Sequence, residues 1–186
     1  MRVPLSPALI AIIAAWLVMG LATVLRPRPP QGRQVQRARG WSWGLALQVL
    51  AIALLWTLPR RDSPGLWLSA AAIALATASV AVILISQRTL GQQFAYQARL
   101  VEGHRLITAG PYGWVRNPIY SALFGLALAT GLVVSEWLLL PFFAILYAAG
   151  TLIRVRTEER LLRARFGREF DDYARRVPAL VPWCKL

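Results

Sequence analysis

The chain has few of the residues that soluble enzymes commonly use for chemistry. Its 186 residues include one cysteine, one histidine and only eight acidic side chains. A single cysteine excludes an internal disulfide, and one cysteine with one histidine makes no ligand cluster, so we predict no metal site. No glycine-rich phosphate loop follows a strand, which disfavours a soluble dinucleotide-binding domain.

Charge is missing from five long apolar runs, at residues 5–25, 41–58, 66–86, 119–134 and 137–153. The first three have the length of about 20 residues that a helix needs to cross a bilayer. The last two are shorter and are joined only by Ser135 and Glu136, which predicts a helical hairpin that returns the chain to the side it left. We therefore predict an all-α integral membrane protein with about five transmembrane helices, the first of which is retained rather than cleaved.

The 21 basic residues are distributed unevenly around these runs. Five lie in residues 26–39, four in 88–116 and nine from residue 154 onward. The segments between these, which would lie on the opposite side of the membrane, hold only Arg2, Arg60 and Arg61. The positive-inside rule predicts an external N-terminus and a cytoplasmic C-terminus. This topology accounts for the net charge of +13 without nucleic acid. Anionic membrane lipids are the expected electrostatic partner.

Two polar segments contrast with this apolar background. Residues 103–120 read GHRLITAGPYGWVRNPIY, and residues 154–159 read RVRTEE. Because the hairpin lies between them, both should face the cytoplasm. Turn chemistry explains Pro111 and Pro118, the latter as a natural first residue of a helix. It does not explain the arginine and tyrosines beside them. The apolar runs contain no charged residue, whereas a transport path through a membrane usually needs charged or strongly polar groups along it. We therefore place the chemistry at the cytoplasmic interface.

Charged pairs after residue 153 differ in what they indicate. Glu159 and Arg163 are spaced i,i+4 in the favourable order, which predicts a solvent-exposed pair on one helix. Arg154 and Glu158 have the same spacing in the weaker order, so we assign them to the site. The helix should continue as an amphipathic cytoplasmic helix to about Arg176, with an apolar face and a candidate interruption at glycine 167.

Two further features concern packing. Six tryptophans are interpreted as interface residues, one of them in the polar loop where it could line a pocket: Trp41, Trp43, Trp67, Trp114, Trp137 and Trp183. Small residues in the last two runs are expected to let those two helices approach closely: Gly125, Ala129, Gly131, Ala148, Ala149 and Gly150.

In the polar loop and in the segment that follows the hairpin, the chain resembles the isoprenylcysteine carboxyl methyltransferase family, which is related to the phospholipid N-methyltransferases. The shared pattern is G-x-Y-x-x-x-R-[HN]-P-x-Y, then a Glu pair, then F-G-x-x-[FY]-x-x-Y, and the resemblance covers roughly residues 88–183. It implies one membrane methyltransferase domain over residues 1–186. Three membrane helices would occupy residues 1–86, and the cofactor-binding catalytic part would occupy residues 87–186.

The resemblance implies S-adenosylmethionine as cofactor and a prenylated or otherwise lipid-like acceptor, methylated on its carboxylate. By position it implies cofactor contacts from Gln97, His104, Leu106, Ile107, Tyr112, Asn117, Pro118, Tyr120 and Glu158. It implies that Arg154 meets the acceptor carboxylate, and Arg116 is a second arginine able to hold an anionic oxygen. The family usually has histidine at position 117, and asparagine keeps a hydrogen bond but cannot take a proton at neutral pH.

Other functions stay open at this point. An amine acceptor such as phosphatidylethanolamine would suit the same arginines through its phosphate. Membrane sterol reductases end in a broadly similar helical arrangement and bind NADPH instead. A non-catalytic membrane protein, with Asn117 marking a decayed site, is the third alternative.

Overall fold

The computed structural model describes residues 5–26, 34–37, 40–91, 99–101 and 106–182. Predictions that concern Gln97, His104 and Trp183 fall outside these residues. The elements, in chain order, are α1 (Pro7–Val24), β1 (Gln34–Arg37), α2 (Trp41–Leu54), α3 (Leu66–Leu90), β2 (Arg99–Val101), α4 (Pro118–Val134), α5 (Leu139–Phe166) and α6 (Arg168–Arg176). A 3₁₀ turn at Gly110–Gly113 precedes α4.

The predicted all-α architecture is confirmed, with five apolar helices and one polar helix in the described parts of the chain. Helices α1, α3 and α5 are long and apolar enough to cross a membrane, whereas α2 and α4 are apolar but hold 14 and 17 residues. Helix α2 is shorter than its apolar run because the chain turns after Leu54 and Pro59 pairs with Ser135. An antiparallel ribbon of β1 and β2, which the sequence did not predict, joins the α1–α2 and α3–α4 connections.

Local sequence explains where the helices begin. The Ser6 hydroxyl accepts a hydrogen bond from the Leu9 amide at 3.2 Å and caps α1, with Pro7 as the first helical residue. Pro118 opens α4 in the same way. Proline suits this position because its missing N–H would have no partner within the helix anyway.

The bundle is built from two principal helix pairs, α2 with α5 and α3 with α4, and α1 packs mainly on α3. The expectation that small residues bring the last two helices together is wrong for two of them. A Cβ on Gly150 would lie 2.6 Å from the Gly44 carbonyl oxygen of α2, and one on Gly125 would lie 2.5 Å from Ser79 Oγ of α3. These glycines let α5 approach α2 and let α4 approach α3.

Helix α5 continues for 28 residues, well past the apolar run in which it starts. At Gly167 the backbone adopts a φ of 52°, a conformation that favours glycine, and the chain turns into α6. This turn confirms the predicted interruption. Phe170 and Tyr173 on α6 are buried, which confirms the predicted apolar face of this segment. The turn brings α6 and the residues after it back over the polar loop that precedes α4.

Candidate functional site

The polar loop is held in place by the segment that follows α6. The backbone N–H of Arg116 donates to the Pro178 carbonyl at 2.8 Å, and that of Asn117 donates to the Ala179 carbonyl at 3.0 Å. The hydroxyl of Tyr173 donates to the Tyr112 carbonyl at 2.7 Å. Burial raises the pKa of the Tyr173 phenol above its usual value, so the group keeps the proton that it donates.

An ion pair joins the loop to α5. The Arg116 guanidinium donates to both carboxylate oxygens of Glu159, from Nε at 2.9 Å and from Nη2 at 3.1 Å. Its Nη1 donates to the carbonyls of Ala174 and Val177. The two charged side chains are only 9% and 14% exposed, so solvent screens the pair weakly. All three nitrogens of Arg116 are occupied by partners within the protein.

The prediction that Glu159 and Arg163 form a solvent-exposed pair is therefore wrong. Glu159 faces Arg116, and Arg163 Nε instead donates to Asp171 Oδ1 of α6 at 2.7 Å. The buried two-point contact with Arg116 competes better for the carboxylate than an exposed i,i+4 partner does, because it is shielded from water.

Asn117 belongs to this same arrangement. Its side-chain amide donates to Glu159 Oε1 at 3.0 Å and to the Ala179 carbonyl at 3.2 Å. The side chain makes no cap for α4. Where the sequence predicted a contact to a cofactor, the structure places Asn117 between α5 and the C-terminal segment.

Glu158 lies next to Glu159 in sequence but has different partners. Its Oε1 accepts hydrogen bonds from the Tyr120 hydroxyl and from Trp41 Nε1, the latter at 3.2 Å. No hydrogen bond from the described residues reaches Oε2. Three helices meet here, because Trp41 begins α2, Tyr120 lies in the first turn of α4, and Glu158 is on α5.

Arg154 lies one helical turn before Glu158 and completes the group. Its guanidinium lies between two rings, 4.3 Å from the Trp41 ring centroid and 4.7 Å from that of Tyr120, in cation–π contact with both. Nη1 donates to Gln48 Oε1 at 2.7 Å. Nε is buried without a hydrogen-bond partner among the described residues. We refer to Trp41, Tyr120, Arg154 and Glu158 as the four-residue cluster.

The other predicted site residues that the structure describes are not part of this cluster. Tyr112 and Pro118 are buried, and Leu106 and Ile107 are partly buried in the segment before the 3₁₀ turn. Trp114 is 76% exposed, so its ring does not line an enclosed pocket. No group of three or more potential metal ligands occurs within the described parts of the chain.

Sequence reasoning missed the contribution of α2. Trp41 was interpreted as an interface residue, and its indole donates to Glu158. Gln48 is buried in an otherwise apolar run and contacts Arg154. A long polar side chain within a membrane helix was a usable signal, because burying an amide in an apolar environment is costly unless it is hydrogen-bonded.

Comparison with known proteins shows which family the chain belongs to. The model of the isoprenylcysteine carboxyl methyltransferase family matches residues 69–164, which run from α3 through nearly all of α5. The chain is 33% identical to the nickel-cobalt-cadmium resistance protein NccN of Alcaligenes xylosoxydans xylosoxydans over 75% of this chain and 62% of that protein. It is 30% identical to rat protein-S-isoprenylcysteine O-methyltransferase over 64% of this chain and 43% of that enzyme.

The fold is similar to a solved structure, that of the eukaryotic intramembrane Ras methyltransferase ICMT. The TM-score is 0.55 at 20% sequence identity, over 95% of this chain and 52% of that one. The chain thus spans about 43–62% of the length of these three proteins. With its apolar helices it is an integral, multi-pass membrane protein, and it belongs to the isoprenylcysteine carboxyl methyltransferase family.

Proposed function

We propose that this protein is an S-adenosylmethionine-dependent methyltransferase that acts on the carboxylate of an isoprenylcysteine-type lipid acceptor. The observation that carries the proposal is the four-residue cluster, which brings a carboxylate, a cation and two aromatic rings to one end of an apolar bundle. Membership of the family and the similarity to rat protein-S-isoprenylcysteine O-methyltransferase support it.

The residues present suit such a cofactor. Glu158 has one carboxylate oxygen already held and a second with no hydrogen bond from the described residues, so it can accept from an ammonium or ribose hydroxyl. The rings of Tyr120 and Tyr112 and the side chains of Leu106 and Ile107 supply apolar surface. The sulfonium cofactor supplies an electrophilic methyl group when it is bound.

Arg154 suits the acceptor. A guanidinium cannot be deprotonated in a protein and can hold a carboxylate through two N–H groups, which orients one oxygen of the acceptor for attack. The buried Nε without a partner in the described structure is available for such a contact. Methyl transfer needs little proton movement, so binding and orientation dominate the expected catalysis. The apolar helices would receive the lipid tail.

The four-residue cluster would then face the cytoplasm, with the N-terminus outside. The uneven distribution of basic residues supports this topology. Reporter fusions at the two termini test it: a fluorescent protein active only in the cytoplasm should be bright at the C-terminus and dark at the N-terminus. The reverse pattern would contradict it.

Calorimetric titration of S-adenosylhomocysteine into detergent-purified protein tests the cofactor assignment. Saturable binding is expected in the wild type and in Glu169→Ala, a matched removal of an exposed carboxylate on α6, and should be lost in Glu158→Ala. NADPH titrated in parallel should not bind. Binding of NADPH in place of S-adenosylhomocysteine would reject the proposal in favour of a reductase.

Acceptors are compared by transfer of a radiolabelled methyl group. N-acetyl-S-farnesylcysteine should be methylated, and vesicles containing phosphatidylethanolamine should not. Labelling of the amine lipid alone would keep the methyltransferase and replace the acceptor.

A further inference from the structure

Helix α2 lies before the residues that match the family, yet besides Trp41 it contributes a buried glutamine that contacts the four-residue cluster. Gln48 is 4% exposed in a helix that is otherwise apolar. Its amide nitrogen donates to Thr151 Oγ1 at 2.8 Å, and its amide oxygen accepts from Arg154 Nη1 at 2.7 Å. Both polar ends of the side chain are therefore bound to α5.

The arginine determines which end of the amide faces it. A guanidinium only donates, so a favourable contact requires the Gln48 oxygen rather than its nitrogen. The Thr151 hydroxyl accepts from the nitrogen and holds the amide in that orientation. The arginine is thereby bound by a neutral acceptor, which fixes its position and leaves its positive charge uncompensated by that partner.

The backbone of α2 also makes room for the arginine. A Cβ on Gly44 would lie 2.5 Å from Arg154 Cγ, so the stem of the arginine passes directly over this glycine. The Trp41 ring, at the start of the same helix, covers one face of the guanidinium. One helix thus contributes a ring, a gap and an oriented amide to a single side chain of α5.

We propose that Gln48, held by Thr151, is a positioning residue that sets acceptor specificity by binding Arg154 without adding a negative charge to that of Glu158, so that the arginine can bind an anionic acceptor group. This inference rests on the proposed function. A glutamate at position 48 would bind the arginine equally well but would neutralise it, so the neutral amide is what keeps the site selective for a carboxylate. A link between α2 and α5 that only stabilises the bundle would not depend on this charge.

The test compares Gln48→Glu with Gln48→Met, which have similar size but differ in charge and in hydrogen bonding. The readout is the ratio of the dissociation constants of N-acetyl-S-farnesylcysteine and its neutral methyl ester, measured by calorimetry in the same detergent. The wild type should prefer the carboxylate. Gln48→Glu should reduce that preference by about tenfold, because the new carboxylate would compensate the charge of Arg154 in a site that water screens only weakly. Gln48→Met should weaken the preference less, since Arg154 is then mobile but still charged.

Thr151 supplies an independent test. Thr151→Val has nearly the same shape but cannot accept from the amide, whereas Thr151→Ser keeps the hydroxyl. The Michaelis constant for the acceptor should rise several-fold in Thr151→Val and return to near the wild-type value in Thr151→Ser. Affinity for S-adenosylhomocysteine should be unchanged in both. Equal behaviour of the two variants would overturn the orienting role.

The outcomes separate this inference from the proposed function. A wild type that binds S-adenosylhomocysteine and methylates the carboxylate, with an unchanged ratio in Gln48→Glu, overturns the inference alone. A wild type that binds neither cofactor nor acceptor rejects both. A weaker preference for the carboxylate, with intact cofactor affinity and normal melting behaviour in Gln48→Glu, supports the specificity role and not a structural one.

Discussion

Glu158 and Glu159 are adjacent on α5, and their carboxylates are held by different parts of the molecule. Glu158 accepts from Tyr120 and Trp41, whereas Glu159 is bound through two points by Arg116. Successive residues of a helix project about 100° apart, so one turn of α5 can serve two purposes. In our interpretation Glu158 faces the cofactor, and Glu159 fastens the loop and the C-terminal segment.

Glutamine substitutions should separate these roles. Glu159→Gln removes the charge from a shielded ion pair and should lower the free energy of unfolding by about 3 kcal/mol, the cost of leaving one partner buried alone. Glu158→Gln keeps the acceptor for Tyr120 and Trp41 and should unfold nearly as the wild type does, while binding S-adenosylhomocysteine at least about tenfold more weakly. Titration with dodecyl sulfate in detergent measures the free energy of unfolding, and calorimetry measures the affinity for S-adenosylhomocysteine. Equal destabilisation by both would contradict the division.

Position 117 should tolerate histidine better than aspartate. Asn117 donates to Glu159 Oε1, and a histidine ring N–H can donate there as well. Asn117→Asp instead places a second carboxylate against Glu159 and should cost about 2 kcal/mol or more. Thermal melting in detergent measures both variants. If Asn117→His melts as low as Asn117→Asp, the donor role assigned to the side chain is incorrect.

The crossing of α2 and α5 should be sensitive to a single methyl group. A Cβ on Gly44 would meet the Gly150 carbonyl oxygen at 2.7 Å in addition to the Arg154 stem, so Gly44→Ala must separate the helices or displace the arginine. We expect a loss of about 1–3 kcal/mol in stability, together with lower methyl transfer. Gly20→Ala in α1 is the matched control, because nothing lies within 4 Å of its Cβ position. A control that is as damaging as Gly44→Ala would show that the effect is not specific to the crossing.

The contact between Tyr173 and the Tyr112 carbonyl should contribute to the docking of α6. Tyr173→Phe leaves a buried carbonyl without this donor and should cost about 1–3 kcal/mol. Tyr147→Phe serves as the control, since the Tyr147 hydroxyl forms no hydrogen bond within the described residues. Limited proteolysis after residue 167 should be faster in Tyr173→Phe than in the control. Identical cleavage rates would indicate that packing of Phe170 alone holds α6.

Much of the architecture follows from local sequence. Uncharged apolar runs predicted the helices because a bilayer-spanning segment must satisfy its backbone internally and expose apolar side chains. The interruption at Gly167 and the start of α4 at Pro118 are also local, since both depend on backbone preferences of single residues. The two polar segments predicted that the loop before α4 and the end of the apolar part of α5 converge, and Tyr120 does contact both Arg154 and Glu158.

Which helices pair, and which partners the charged residues choose, was decided only by the tertiary structure. The same glycines could have joined α4 to α5, but Gly150 faces α2 and Gly125 faces α3, because close approach depends on a complementary partner that no local pattern specifies. Glu159 took Arg116, 43 residues away, over Arg163 four residues on, since a shielded two-point contact outweighs an exposed one. The sequence by itself determined a membrane bundle with a polar end. Long-range packing decided that Trp41 and Gln48 of α2 belong to that end, because their contacts exist only once α2 lies against α5.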